Sequence, residues 1–240
     1  MSAKEKSEGS MGWEAKIQLF GPISEESIVK EIEGITFDTE TKDSGIVLKG
    51  FTVKTPPMGS DDAFLYAQEI ANRIFDYLSA IHRYHITGYL SNITEIKPEG
   101  EKRTGIAKFG VSAIIHAPMK LDFNEIEPLL KKKDIKLMRQ LAHYRMGIES
   151  EDLTTKIQQF YQVAEDEYKN DDPFILKYNF VRHISSHPQL DRKAAKEMAE
   201  KYFGKNYLDL SDPRDIEKLR GALGPIRAEA EKIIYSKLKI

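Results

Sequence analysis

The chain has 240 residues, of which 40% are apolar and 31% charged, a balance typical of a soluble globular protein with one large or two modest domains. Cysteine is absent, which excludes disulfide scaffolds, thiolate zinc sites and cysteine nucleophiles. The formal net charge of -2 excludes a global basic excess, so a nucleic-acid partner must bind a local patch. No segment reaches the roughly 18 apolar residues that cross a bilayer, and MSAKEKSEGS lacks the apolar stretch of a signal peptide. We therefore expect no membrane partner and a cytoplasmic location.

The first half of the chain alternates between apolar and polar residues, which is the pattern of half-buried strands. Strands are predicted over Trp13 to Phe20, Gly34 to Asp38, Gly45 to Lys54, Ile86 to Ile96 and Gly105 to Ala117. Before the second strand, Ser24 can cap a short helix that runs through Glu31.

Between the third and fourth strands the apolar residues recur at helical spacing, with Ser60 or Asp61 as the natural N-cap. We therefore predict an α+β domain over residues 13–118, an N-terminal antiparallel sheet packed on a long helix. Residues 1–12 are predicted to be a disordered N-terminus.

After Pro118 the strand pattern ends, and because proline interrupts an interior strand the domain boundary is placed there. Helices are predicted over Asn124 to Lys132, Asp134 to Gly147, Ser150 to Lys169, Asp172 to His187, Arg192 to Phe203 and Asp215 to Leu238. Ser150 is a candidate N-cap. Residues 119–240 are thus predicted to form an all-α helical bundle.

Two histidines near the end of the long helix are candidate metal ligands. His82 and His85 are three residues apart, which places both rings on one helix face. No third ligand follows and Arg83 lies between them, so we predict neither a metal nor a cofactor and keep a metal hydrolase as a remote alternative. The acidic run from Glu165 to Asp172 is interpreted as a solvated helix end.

The strongest candidate site lies in the stretch YNFVRHISSHPQLDRK, where an apolar helix must end near Pro188. Arg182 and His187 are five residues apart, so on an ideal helix they point roughly 140° away from each other. An unwound last turn or a second subunit is needed to bring the two side chains together.

The segment Arg182-His183-Ile184-Ser185-Ser186-His187 resembles the arginine, polar residue, three variable residues, histidine motif of HEPN domains (higher eukaryote and prokaryote nucleotide-binding). The preceding helix TTKIQQFYQVAEDEY is similar to that of the Apea-like and methylamine-utilisation-type groups of this superfamily. The resemblance covers residues 121 to 240 and does not explain the N-terminal half. It implies a helical bundle that binds RNA or a nucleotide, and a homodimer formed through the helical domain.

Catalytic members of that superfamily are metal-independent endoribonucleases, and the residues present suit this chemistry. RNA cleavage without a metal requires a base for the 2′-hydroxyl, an acid for the leaving 5′-oxygen and a fixed cation for the phosphate. The resemblance implies that His187 is the acid and base and that Arg182 holds the phosphate. His183 and Ser186 can support the pair.

Two alternatives remain at the level of sequence. In the first, Arg182 pairs with Glu165, Asp171 or Asp172 and His187 caps the last carbonyls of its helix. In the second, the chain is a noncatalytic dimeric interaction or ligand-sensing module with a degenerate HEPN-like domain. Such a module buries Arg182 in a salt bridge or places the two side chains on separate faces.

Overall fold

The computed structural model describes residues 11–25, 32, 34–42, 45–83, 85–96, 102–105, 134–184 and 193–238. The chain divides into two compact units, Met1–Lys133 and Asp134–Ile240. The domain boundary predicted at Pro118 and the helix predicted over Asn124 to Lys132 lie outside the described residues. None of the described helices is long and apolar enough to cross a membrane.

The first unit contains a five-stranded antiparallel sheet with the strand order β2-β3-β1-β4-β5. Its strands are β1 (Gly12–Glu25), β2 (Ile35–Lys42), β3 (Gly45–Thr55), β4 (Gly88–Ile96) and β5 (Lys102–Gly105). The helix α1 (Ser60–His82) connects β3 to β4 and packs against β1, β3 and β4. The predicted sheet packed on a long helix is confirmed, and with the helices of the second unit it makes the chain an α+β protein.

The alternation within β1 produces the core face of this sheet. Ala15, Ile17 and Leu19 are buried, and Ile17 lies opposite Phe51 of β3. Phe51 meets Phe75 of α1 edge to face, with ring centroids 5.9 Å apart. Burial of a large apolar side chain such as Ile17 or Phe51 contributes about 1.5–3 kcal/mol to stability. The alternating pattern therefore predicts which face of these strands is buried.

The short helix predicted to start at Ser24 is wrong for the residues that the structure describes. Ser24 lies in β1 and pairs with Val47 of β3. The register of this strand pair shifts between Gln18 and Ile23, and the shift allows β1 to continue through a Gly-Pro dipeptide that in sequence indicates a break. Pairing with a distant strand therefore overrides the local capping signal.

Two predicted N-caps are also corrected. Gly59 precedes the first helical residue of α1, so neither Ser60 nor Asp61 is its N-cap. In the second unit Ser150 ends a helix, and Asp152 begins the next one by accepting a backbone N–H at 2.7 Å. A carboxylate at this position also favours the positive end of the helix dipole.

The second unit is helical throughout its described secondary structure. Its helices are α2 (Ile135–Glu149), α3 (Leu153–Glu167), α4 (Pro173–Tyr178), α5 (Phe180–Ile184), α6 (Lys193–Phe203) and α7 (Pro213–Leu238). Helix α3 is central, because it contacts α2, α4, α5 and α7. Its buried face consists of Ile157, Phe160, Tyr161, Val163 and Ala164.

The single helix predicted over Asp172 to His187 is instead two short helices, α4 and α5, separated at Asn179. The turn lets Phe180 stack on Tyr202 of α6, with ring centroids 3.7 Å apart and an interplanar angle of 17°. An aromatic contact between distant parts of the chain thus decides where the helix is interrupted. The predicted helix end at His187 lies outside the described residues.

The buried histidine of α1 makes the first unit sensitive to pH. His82 is 4% exposed, and burial lowers its pKa from 6.5 to about 4. Between these values the unfolded chain binds a proton that the folded unit does not bind, so stability is complete above pH 6.5 and falls as the pH decreases. We expect the free energy of unfolding of this unit to be about 2 kcal/mol lower at pH 5 than at pH 7.

Trp13, the single tryptophan of the chain, measures this effect because it lies in the first unit, where its indole N–H donates to the Met58 carbonyl at 2.9 Å. Urea unfolding followed by tryptophan fluorescence should show a midpoint that decreases from pH 7 to pH 5. In His82→Gln the midpoint should depend much less on pH. An unchanged pH dependence in this variant would contradict the assignment.

Candidate anion-binding site on the helical unit

The last turn of α3 carries three consecutive carboxylates, Glu165, Asp166 and Glu167. Negative charge is unfavourable there, since the C-terminus is the negative end of the helix dipole. Each carboxylate pairs with a base from another helix, and these bases are Arg182 of α5, Arg139 of α2 and Lys237 of α7. The interpretation of this run as a solvated helix end is therefore wrong for these three residues, which connect the helices of the unit.

Glu167 belongs to the most extensive polar network in the described part of the unit. Lys237 donates to Glu167 and to the side-chain oxygen of Gln140, at 2.5 and 2.9 Å, and Lys136 approaches Glu167 to 2.9 Å. Gln140 is 0% exposed and also donates to a backbone carbonyl of α3. Burial opposes ionisation of Glu167, but hydrogen bonds from Lys237, Lys136 and Gln140 outweigh it and lower its pKa to about 2. This network is structural.

Arg139 and Asp166 form a two-pronged ion pair. The Arg139 Nε and Nη2 atoms donate to the two carboxylate oxygens at 2.6 and 2.7 Å. This arrangement fills one edge of the guanidinium fork and fixes its direction. Although the Arg139 side chain is 57% exposed, its best edge for an anion is already occupied.

Arg182 and Glu165 form a different kind of pair. The contact joins Nη1 of Arg182 and Oε1 of Glu165, which are 3.2 Å apart. The other carboxylate oxygen accepts a hydrogen bond from Gln162 at 2.8 Å. Within the described part of the chain no second acceptor contacts the guanidinium, and the side chain is 58% exposed. Among the described residues, Arg182 is thus paired with one carboxylate without the two hydrogen bonds that engage Arg139.

The packing of α5 explains why Arg182 points outward. Phe180 and Val181 are buried, 2% and 1% exposed, and Phe180 stacks on Tyr202 of α6. Successive residues of a helix are about 100° apart, so anchoring these two side chains turns the next one away from the core. The guanidinium is therefore presented by a short but well anchored helix.

A buried tyrosine lies under this pair. Tyr161 of α3 is 0% exposed, and among the described residues its hydroxyl has no hydrogen-bond partner. Burial and the Glu165 carboxylate raise the pKa of Tyr161 to about 12, and Arg182 partly opposes this shift. The phenol therefore stays protonated at neutral pH. A buried hydroxyl without a hydrogen-bond partner lowers the stability of the folded protein by about 1–3 kcal/mol, so such groups are rare unless they have a function.

The four residues predicted for the site are only partly described. Arg182 is exposed on α5, and His183 beside it is half-buried. Ser186 and His187 lie outside the described residues, so the distance from Arg182 to His187 stays a prediction. Of the alternative partners named for Arg182, Glu165 is confirmed.

The noncatalytic alternative predicts that Arg182 is buried in a salt bridge. The ion pair between Arg182 and Glu165 differs from this prediction, because the Arg182 side chain is exposed. Asp172 has another task, since its carboxylate accepts the Phe174 N–H at the start of α4. Tyr161 and Gln162 were not predicted as site residues. The available signal was their placement on the same predicted helix as Glu165, with Tyr161 one turn before it.

Among the described residues, no acidic or histidine cluster surrounds the candidate metal ligands His82 and His85. Across the described ranges, no group of three or more His, Cys, Asp or Glu side chains could hold a metal ion. His82 is buried at the end of α1, and His85 is half-buried beyond it. The remote alternative of a metal hydrolase thus receives no support from the described residues.

The network around Glu167 yields a test of the helical unit. Lys237→Met leaves the buried Gln140 oxygen without its donor and Glu167 with one base fewer, so we expect a loss of about 1–3 kcal/mol in the free energy of unfolding. Lys232 of the same helix, 70% exposed and paired with Glu229, is the matched control. Lys232→Met should change stability by less than about 1 kcal/mol. Urea unfolding followed by far-UV circular dichroism measures both, and equal effects would contradict the network.

No protein-family model matches the chain, and no curated protein or solved structure matches it either. The resemblance to HEPN domains accordingly stays a prediction from Arg182 to His187 and their helical surroundings. What the described residues add is the chemistry of the guanidinium on α5.

Proposed function

We propose that the helical unit is a HEPN-like module that binds RNA through Arg182 and cleaves it without a metal, using His187 as acid and base. The observation that supports this proposal best is the Arg182 side chain, which is 58% exposed and, among the described residues, makes no two-pronged pair like that of Arg139. A planar guanidinium fork matches two oxygens of a phosphate.

A comparison with Arg139 makes this support more specific. Both arginines pair with neighbouring carboxylates of α3, and their exposed fractions are nearly equal, 57% and 58%. Arg139 donates through Nε and Nη2 to Asp166, whereas the described contact of Arg182 with Glu165 is a 3.2 Å approach of Nη1 to Oε1. Exposure alone does not separate the two, but the remaining hydrogen-bonding capacity does, and it favours Arg182 as the phosphate ligand.

In the proposed reaction neutral His187 removes the proton of the ribose 2′-hydroxyl, and the 2′-oxygen attacks the adjacent phosphorus. The bond from phosphorus to the 5′-oxygen breaks, and a protonated His187, supplied by a second subunit of the homodimer, donates a proton to that oxygen. The products are a 2′,3′-cyclic phosphate and a 5′-hydroxyl. Arg182 stabilises the negative charge that develops on the phosphate oxygens, and His183 and Ser186 orient the neighbouring groups.

A noncatalytic module that senses an anionic ligand is the second candidate. The ion pair between Arg182 and Glu165 favours it, because the carboxylate neutralises part of the charge that would stabilise the phosphate oxygens during cleavage. This candidate shares the binding step with the first and lacks the cleavage step. Binding and cleavage must therefore be measured separately.

The binding step is tested with a single-stranded RNA that carries 2′-O-methyl groups and so resists cleavage. Arg182→Ala should weaken binding about 10-fold or more, because a charge-assisted hydrogen bond to phosphate is lost. It should also reduce the slope of log affinity against log salt by about 0.7. Arg139→Ala is the control and should leave both quantities nearly unchanged. Equal losses in the two variants would show that general positive charge, and not the Arg182 site, binds RNA.

The cleavage step is tested with unmodified single-stranded RNA in the presence of a chelator. The protein should degrade it to products with cyclic phosphate ends, and His187→Ala should abolish cleavage while the circular dichroism spectrum and the affinity for 2′-O-methyl RNA are retained. Equal degradation by the wild type and the variant would indicate a contaminating nuclease. Binding without cleavage in the wild type would establish the noncatalytic candidate instead.

A further inference from the structure

The buried hydroxyl of Tyr161 makes no hydrogen bond to Arg182 or to Glu165. It lies in a side chain that is 0% exposed, and no described residue accepts or donates a hydrogen bond to it. By contrast, the hydroxyl of Tyr168, just after α3, donates to Glu229 of α7. Buried polar groups are normally satisfied, so an unpartnered hydroxyl beside a functional pair suggests a partner in another state.

Glu165 is the group best placed to become that partner. It follows Tyr161 by four residues on α3, and residues at this spacing lie on the same helix face. The Glu165 carboxylate already acts on the phenol electrostatically, as does Arg182. The simplest exchange of one partner for the other is a change of rotamer at Glu165, because both residues lie on one face of the same helix.

We propose that Tyr161 is a positioning residue of the anion site: when an RNA phosphate binds Arg182, the Glu165 carboxylate leaves the guanidinium and accepts a hydrogen bond from the Tyr161 hydroxyl. This inference rests on the proposed binding of phosphate by Arg182. The exchange removes a negative charge from the neighbourhood of the phosphate and gives the buried hydroxyl its missing acceptor. Gln162 holds the other carboxylate oxygen in the described state, so the exchange starts from an anchored side chain.

The direction of the exchange follows from the charges involved. A phosphate and a carboxylate that share one guanidinium repel each other, and this repulsion grows when water is displaced from between them. The pair of Glu165 and Arg182 offers limited resistance, since the Arg182 side chain is 58% exposed and solvent weakens such an ion pair. Tyr161 thereby converts Glu165 from a competitor of the phosphate into a satisfied hydrogen-bond acceptor.

The test is a double-mutant cycle with Tyr161→Phe and Glu165→Gln in the full chain, in which affinity for 2′-O-methyl single-stranded RNA is measured. Tyr161→Phe should weaken binding about 5- to 10-fold, because the Glu165 carboxylate then has no hydroxyl to accept a hydrogen bond from when it leaves Arg182. Glu165→Gln should strengthen binding several-fold, since an uncharged amide does not repel phosphate. In the Glu165→Gln background, Tyr161→Phe should change the affinity less than about 2-fold.

Stability measurements separate this role from a purely structural one. Tyr161→Phe should leave the urea midpoint of the unliganded helical unit unchanged or slightly higher, because the hydroxyl has no partner to lose. Tyr168→Phe is the matched control: it removes a hydroxyl that donates to Glu229, so it should lower the midpoint and leave RNA affinity unchanged.

The outcomes distinguish the inference from the proposed function. Wild-type affinity in Tyr161→Phe, together with weak binding in Arg182→Ala, would overturn the inference and leave the proposed function standing. An equal loss from Tyr161→Phe in the wild-type and Glu165→Gln backgrounds would show a packing effect and also overturn it. If Arg182→Ala bound RNA as tightly as the wild type, the proposed function and this inference would both fail.

Discussion

The burial of α3 is the constraint on which the helical unit depends. Its apolar face, which includes Phe160 and Val163, is enclosed by four other helices, and this burial determines where its last turn lies. That turn carries three carboxylates at the negative end of the helix dipole, where each needs a cation nearby. Helices α2, α5 and α7 supply these cations, which are Arg139, Arg182 and Lys237.

Neighbouring carboxylates of α3 nevertheless pair with their arginines in different ways. Asp166 accepts two hydrogen bonds from Arg139, whereas the described contact of Glu165 with Arg182 is a 3.2 Å approach of Nη1 to Oε1. The two arginines are nearly equally exposed, but they differ in the hydrogen bonds that they make to neighbouring carboxylates. The hydrogen bonds that each arginine makes, and not its charge alone, therefore distinguish Arg139 from Arg182 in this unit.

Predictions from the sequence succeed where the signal is local and fail where a distant contact competes with it. The alternation in β1 correctly places Ile17 in the core, because a period of two already separates the two faces of a strand. Ser24 was misinterpreted because its pairing with β3 cannot be seen locally. The break at Asn179 was missed for the same reason, since it depends on Phe180 stacking on a residue of α6.

By itself the sequence determined that an alternating α+β half precedes a helical half, because the hydrophobic period is a local property of the chain. Only the tertiary structure decided which carboxylate Arg182 meets. Three were available in sequence, and the choice of Glu165 depends on where α5 packs against α3, while Asp172 is engaged as the N-cap of α4. It also decided that the Tyr161 hydroxyl is buried beside this pair, since burial results from contacts between helices that no short stretch of sequence contains.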